Sequence, residues 1–279
     1  MSRPLEGKLA IVTGASRGIG KAIAESLATR GANLILAYTS PSSTSVTESL
    51  ATHLSKTHNI KAIPIQSDLS TPSGPADLIT RSLPHFTPFR IDILINNAGI
   101  ALNDPLPSIN VDDFSKSYNT NVRGPLLLAQ ASLPYLPTDR TGRIISISSV
   151  SSTLGFEGQS IYGGTKAALE SMSRTWSREL SHSCTVNCIN PGPVAGEMYD
   201  ANSDEFKRKI KPFIQNAPLM EVREGVDDPQ EVEKAKLTGG RAASVEEIAG
   251  VVVLLCMKEA GWITGQVVSA NGGMVFGLS

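Results

Sequence analysis

Residues 8–31 read KLAIVTGASRGIGKAIAESLATRG. A strand, a turn and a helix follow one another in this stretch. Leu9 to Val12 is a continuous apolar run, the pattern of a strand buried on both faces. TGASRGIG, from Thr13 to Gly20, then places glycines at Gly14, Gly18 and Gly20. The spacing is looser than G-x-G-x-x-G, but the physics is similar. Glycines let the backbone turn sharply and approach a pyrophosphate, and the N-terminus of the following helix favours negative charge. The next residues keep a helical period up to Gly31, which is suited to a C-cap. The stretch predicts a nucleotide-binding turn at the start of an α/β sheet.

The same rhythm continues. NLILAY from Asn33, KAIPIQ from Lys61, IDILINN from Ile91, GRIISISS from Gly142, TVNCIN from Thr185 and QVVSA from Gln266 are short apolar runs. Helical patterns lie between them, as in EEIAGVVVLLCMKE. Strands alternating with helices predict a parallel sheet covered on both faces. No linker or internal repeat divides the 279 residues, so the reading is a single domain over 1–279. Residues 196–240 break the rhythm. They are polar, charged and partly helical, with DPQEVEKAK as the densest part. Such an excursion is a solvated surface, and beside a site it is how lids are built.

Composition excludes several classes. The net charge of −1 gives no basic field for nucleic acid. Three cysteines (Cys184, Cys188 and Cys256) make no disulfide framework and suggest reduced thiols and a cytoplasmic location. The four histidines match no zinc spacing, so no metal site is expected. The N-terminus does not resemble a signal peptide, and the C-terminal GLS does not match the peroxisomal SKL address. No apolar run reaches the ~20 residues of a membrane span, and VVVLLCM at Val251 to Met257 reads as a buried helix face.

Several motifs point to chemistry. A carboxylate at the end of the second strand would select NAD. Here AYTSPSS follows from Ala37, and the first acidic residue is Glu48. Hydroxyls at Thr39 and Ser40, next to Tyr38, together with Arg17 suit the 2′-phosphate of NADP(H). Asp68 and Leu69 follow the third strand, where an adenine edge would lie. In NNAG after the fourth strand, Asn96 is read as bracing the sheet, and Asn97, Ala98 and Gly99 as backbone contacts to a ribose. Ser149 ends the fifth strand, thirteen residues before Tyr162 in SIYGGTKAALE. Tyr162 and Lys166, four apart, share one helix face. Alone, that pair would be a packed ring with a lysine snorkelling beside it.

TGASRGIG, NNAG, a serine thirteen before YGGTK, PG at Pro191 and Gly192, and ITGQVVSANGG from Ile263 stand in order. Together they resemble the short-chain dehydrogenase/reductase family from about Lys8 onward. The resemblance implies a Rossmann-type doubly wound sheet of seven parallel strands, assembled as a homotetramer or homodimer. It implies a catalytic set at Asn121, Ser149, Tyr162 and Lys166. It implies cofactor contacts at Gly14, Ser16, Arg17, Gly18, Ile19, Gly20, Tyr38, Thr39, Ser40, Asp68, Leu69, Asn97, Ala98, Gly99, Pro191, Gly192 and Val194, besides Tyr162 and Lys166. Leu169, Met172 and Trp176 lie on spacings suited to an intersubunit helix face, or else to packing on the chain's own sheet.

The implied activity is NADPH-dependent reduction of a small-molecule ketone to a secondary alcohol, in polyketide or other secondary metabolism. Alternatives are the reverse alcohol oxidation and a non-redox nucleotide-binding regulator. Lys166 would lower the Tyr162 pKa, Ser149 would hydrogen-bond the substrate oxygen, and Asn121 would bend its helix and hold a water. Gly163 and Gly164 each cost up to about 1 kcal/mol in a helix, which points to close packing at that face. Gly196 stands where related sequences often carry threonine. The chain is similar to 3-oxoacyl-carrier-protein reductases and to fungal polyhydroxynaphthalene-type reductases, and GEMYDA after the PG pair leans to the second. Met198, Tyr199, Phe206, Phe213, Ile214 and Met220 are candidates to line the substrate pocket or to pack the lid down.

Overall fold

The seven apolar runs form seven strands in a computed structural model that describes residues 3–276; the GLS terminus and the first two residues lie outside that range. The strands are β1 (Leu9–Thr13), β2 (Asn33–Tyr38), β3 (Ala62–Gln66), β4 (Ile93–Asn96), β5 (Gly142–Ile147), β6 (Cys184–Pro191) and β7 (Val267–Ala270). All pairings are parallel, in the order β3-β2-β1-β4-β5-β6-β7. The winding direction reverses between β1 and β4. In such sheets the crevice for a ligand opens beyond the carboxyl ends of the strands at that reversal.

Helices connect the strands: α1 (Gly18–Thr29), α2 (Thr44–His58), α3 (Gly74–Ser82), α4 (Val111–Tyr118), α5 (Gly124–Ser132), α6 (Ser151–Leu154) and α7 (Ser160–Glu179). After β6 come α8 (Glu197–Asp200), α9 (Asp204–Gln215), α10 (Pro229–Thr238) and α11 (Val245–Cys256). Successive strand residues point to opposite faces. Ala10 and Val12 pack under α1 and α11 with Ile23, Leu27, Val252 and Val253. Leu9 and Ile11 pack on the other face with Leu78, Leu128, Leu169 and Trp176. Full burial of one such side chain contributes roughly 1.5–3 kcal/mol. The architecture is a single α/β domain, a seven-stranded Rossmann-type sheet with helices on both faces.

Two sequence expectations resolve here. Leu169 and Trp176 are buried against the chain's own sheet, with Met172 packed beside them. They are core, not an intersubunit face, because the apolar stripe of α7 has β5 and β6 to cover. Outward apolar side chains sit instead at Val111, Phe114 and Leu126 of α4 and α5. The 196–240 segment does fold as short helices with its own apolar cluster. Ile210, Ile214, Ala217 and Met220 are buried there, with Phe156, Tyr199, Phe206 and Met274 against them. Phe156 meets Phe206 and Phe213 edge to face at 6.1 and 5.3 Å between centroids. Ile214 and Met220 therefore pack the segment down, whereas Met198 is exposed. The three cysteines are buried and unpaired. Among the described residues, no helix is long and apolar enough to cross a membrane.

Candidate active site

The glycine turn is built by its neighbours. Gly14 and Gly18 have φ of 63° and 53°, where a side chain is strained. A Cβ on Gly20 would lie 2.2 Å from the Gly14 carbonyl oxygen, so the helix and the turn touch backbone to backbone. α1 starts with Arg17 at its N-cap, no side chain caps it, and no acid stands in its first turn. Its leading N–H groups thus keep their capacity for an anion. Nothing lies within 4 Å of the position a Gly18 Cβ would take, so the backbone is open to close approach. These features fit the pyrophosphate of a dinucleotide. Ser16 is half-buried in the turn, and Ile19 packs onto the core below it.

Asn97 ties this turn to the sheet. Its Nδ2 donates to the carbonyls of Thr13 at 2.8 Å and Gly14 at 3.3 Å. Thr13 Oγ1 accepts from the N–H groups of Asn97 and Ala98 at 2.9 and 3.0 Å and donates to the Ile95 carbonyl. The bracing assigned to Asn96 is therefore performed chiefly by Asn97 through Thr13. The N–H groups of Asn97 and Ala98 are bound within the protein, so a backbone contact to a ribose would fall to their carbonyls. Asn96 makes only a 3.4 Å bond to Ser146. Thr13 was missed because a threonine ending an apolar strand reads as part of the strand.

The end of β2 carries no carboxylate. Thr39 Oγ1 donates to the Ser67 carbonyl at 3.3 Å, and the Ser40 and Ser42 hydroxyls are 2.6 Å apart. Tyr38 is buried, and its phenol donates to Thr44. Arg17 is not turned towards these hydroxyls: its Nε lies 3.3 Å from Glu197 of α8, both side chains being well exposed. Asp68 accepts from the N–H and hydroxyl of its neighbour Ser70 at 2.9 and 2.7 Å. The Leu69 side chain belongs to the core, leaving only its backbone for an adenine. Beyond β6, a Cβ on Gly192 would come within 2.9 Å of Met220. Val194 pairs in parallel with Ala243, whose bonds go to Pro193 and Ala195. In a parallel bridge this leaves Val194's own N–H and C=O on the opposite side.

Asn121, Ser149, Tyr162 and Lys166 converge. Asn119–Arg123 is a π-helical turn between α4 and α5, the bend expected at Asn121. Asn121 Oδ1 accepts from Ile100 N–H at 2.9 Å, and its Nδ2 donates to the Ile100 carbonyl and to Thr165 at 2.8 and 3.1 Å. A Cβ on Gly99 would lie 3.2 Å from Asn121 Oδ1 and 3.4 Å from Lys166 Nζ, so that glycine seats the loop onto both residues. Ser149 sits just past β5, where its Oγ meets Ser151 Oγ at 3.0 Å. Lys166 Nζ donates to the Ile147 carbonyl at 2.8 Å and lies 5.6 Å from the Tyr162 ring centroid.

The electrostatics differ from the expected pattern. Burial raises the Tyr162 pKa above the usual phenol value, and a hydrogen bond with Ser149 only partly offsets this. Burial also pulls Lys166 down to about 8, and the Glu170 carboxylate draws it part of the way back up. Lys166 thus does not turn the phenol into a phenolate here, because its ammonium is spent on a carbonyl and both groups are desolvated. Of the paired glycines, Gly163 is the tight one: a Cβ there would lie 2.5 Å from the Ser151 carbonyl oxygen. At Gly164 the neighbour is the Tyr118 phenol, at 2.9 Å.

A glycine-lined helix start beside a tyrosine–lysine pair, at the reversal point of a parallel sheet, defines an oxidoreductase fold of the NAD(P)(H)-binding class. Residues 8–206 match the short chain dehydrogenase family, and the chain belongs to it. It is an oxidoreductase acting on the CH–OH/C=O pair. It is 50% identical to an L-xylulose reductase of Aspergillus niger, over 99% of this chain and 100% of that one. It is 45% identical to an L-xylo-3-hexulose reductase of Hypocrea jecorina, over 98% of each. With a hydroxynaphthalene reductase-like protein of Metarhizium anisopliae it shares 34%, over 98% and 97%. A blue fluorescent protein from a metagenomic library, solved with NADPH, superposes with a TM-score of 0.83 at 31% identity, over 98% and 100% of the two chains.

Proposed function

We propose that the protein uses NADPH to reduce the ketone of an open-chain polyhydroxylated sugar to a secondary alcohol. The observation that carries the reading is the convergence of Ser149, Tyr162, Lys166 and Asn121 beside the glycine turn. When bound, the cofactor supplies the hydride. Ser149 donates a hydrogen bond to the substrate carbonyl and steadies the charge that grows on oxygen. Tyr162 delivers the proton. Its raised pKa suits this direction, since a phenol that stays protonated is a donor. Lys166, near neutrality in its proton affinity, replaces that proton, and Asn121 holds the water that feeds it.

NADP(H) is favoured over NAD(H) by the hydroxyl-rich, carboxylate-free end of β2 at Thr39 and Ser40. Arg17 reaches the 2′-phosphate once it leaves Glu197. Gly14, Ser16, Gly18, Ile19 and Gly20 would face the pyrophosphate, with the Asp68–Leu69 backbone at the adenine. Tyr38 shapes the β2 end from below. Gly99 lies at the ribose with Tyr162 and Lys166, and Pro191, Gly192 and Val194 at the nicotinamide. Residues 196–240 act as the lid of a single domain spanning 1–279. The enzyme works in the cytoplasm as a homodimer or homotetramer that covers Val111, Phe114 and Leu126.

The sugar reading is preferred to a naphthol-type ketone because identity is 50% and 45% to the two ketose reductases against 34% to the hydroxynaphthalene reductase-like protein. Loss of NADPH absorbance against a panel of ketoses, aryl ketones and 3-oxoacyl thioesters tests it, with Tyr162→Phe alongside. Turnover on ketoses that vanishes in the variant is expected. Turnover on aryl ketones alone would overturn the substrate class, and turnover that survives Tyr162→Phe would overturn the site.

A further inference from the structure

Glu170 is a buried carboxylate that the reaction described above does not use. It lies on α7, one turn beyond Lys166 and two beyond Tyr162, on the same face. Its Oε1 accepts hydrogen bonds from the hydroxyls of Ser148 and Ser152, the latter at 2.7 Å. These two serines bracket Ser149. Ser152 Oγ also lies 2.8 Å from the Ser149 carbonyl. The same segment is held to α7 at Ile147 by Lys166 and at Ser151 by the close approach of Gly163. Buried carboxylates are costly unless paired and hydrogen-bonded, so this one has a reason to be where it is.

We propose that Glu170 is a positioning residue for the reaction, clamping the Ser149 loop onto the helix that carries Tyr162 and Lys166. The proposal rests on the reading of those three residues as the reacting groups. Through Ser148 and Ser152, Glu170 fixes where the Ser149 hydroxyl stands relative to the phenol. Through its charge it also keeps Lys166 an ammonium. The titratable groups facing Lys166 are Glu170 and Tyr162 of its own helix and Cys188 of β6. Cys188, pushed up to about 12 by burial, stays a neutral thiol across the working range, and Arg174, the next turn along, acts on Cys188.

The test compares Glu170→Ala, Glu170→Gln and the double variant Ser148→Ala/Ser152→Ala in the full chain. The readouts are kcat, KM, NADPH affinity by fluorescence, melting temperature and the pH profile of kcat/KM. Glu170→Ala and the double serine variant are expected to lose about tenfold or more in kcat with NADPH affinity little changed, as misplacement of a reacting group does. Glu170→Gln keeps an acceptor and loses the charge. Its kcat/KM should begin to fall at lower pH than in the wild type, because Lys166 loses its stabilising neighbour. A merely structural residue would lower melting temperature and activity together and leave the profile in place; that result would overturn the proposal. So would a Glu170→Gln profile that superimposes on the wild type while the double serine variant keeps its kcat. If Glu170→Ala does not fold, the other two variants decide. A Tyr162→Phe control that retains turnover would overturn the underlying site reading, and this proposal with it.

Discussion

Replacing Lys166 by methionine tests the electrostatics of the site without needing a substrate. Lys166 is buried, and burial moves its pKa from 10.5 to about 8. At about 1.4 kcal/mol per pKa unit, keeping that ammonium in the folded state at neutral pH costs about 3 kcal/mol. The folded pKa lies below the unfolded one, so between them the unfolded chain binds more protons. The contribution of this group to stability must therefore rise with pH through this window. From pH 8 to pH 9 the gain is about 1 kcal/mol. That equals a rise of about 2 °C in melting temperature for a domain of this size.

Lys166→Met removes the titrating group and with it the rise. Its absolute stability at neutral pH is a poorer guide, because the Ile147 carbonyl loses its donor at a cost of about 1–3 kcal/mol. The difference in slope between the two proteins is the quantity to read. The cysteines do not confuse it. Their pKa values are raised from 9 to about 12, so the three together lose about 1 kcal/mol of stability from pH 8 to pH 9, but equally in both proteins, and the difference in slope is untouched. Urea unfolding of the apoprotein and the variant at the two pH values, at one protein concentration, makes the measurement. Equal slopes in the two proteins would refute the assignment of a strained ammonium to this site.

Four further outcomes are expected. Gly163→Ala puts a methyl 2.5 Å from a backbone oxygen, so α7 and the Ser149 loop must part by roughly 1 Å, and kcat/KM should fall about a hundredfold. Gly164→Ala meets only the tip of Tyr118, which can swing; it should keep activity and gain up to about 1 kcal/mol in thermal unfolding. Thr39→Asp supplies the missing carboxylate at the end of β2, and the ratio of kcat/KM for NADPH to that for NADH should drop by at least about tenfold in steady-state assays. Gly196→Thr forces a branched residue into φ of 138°, a strain of about 1–3 kcal/mol. Limited proteolysis should then cut the 196–240 segment faster, and KM for the ketone should rise.

The strands and the four converging residues were legible because each is written in a local pattern. A run such as NLILAY between breakers has few ways to be anything but a buried parallel strand. Tyr162 and Lys166 are placed by helix geometry alone, and Asn121 bent its helix as expected. What the sequence could not show is which of two neighbours a group chooses. The stripe of Leu169, Met172 and Trp176 is real, but periodicity does not say whether β5 and β6 or a second subunit covers it. Arg17 has the right charge for a phosphate, yet a carboxylate 180 residues away at Glu197 meets it first. The phenol's pKa is a contest between burial and an ammonium, and only distances decide it: Lys166 reaches the Ile147 carbonyl, so burial wins.

The same logic explains Glu170 and Thr13. The i, i+4 step from Lys166 to Glu170 is present in KAALE, but most such pairs are solvated and the spacing alone gives Glu170 no role. Its partners are the serines of a strand end twenty residues earlier, so its role appears only once β5 and α7 are side by side. Thr13 likewise gains meaning only when β4 lies next to β1. Side chains that join two elements at a site are the ones a linear reading misses, and they are the ones that set how far apart the reacting groups stand.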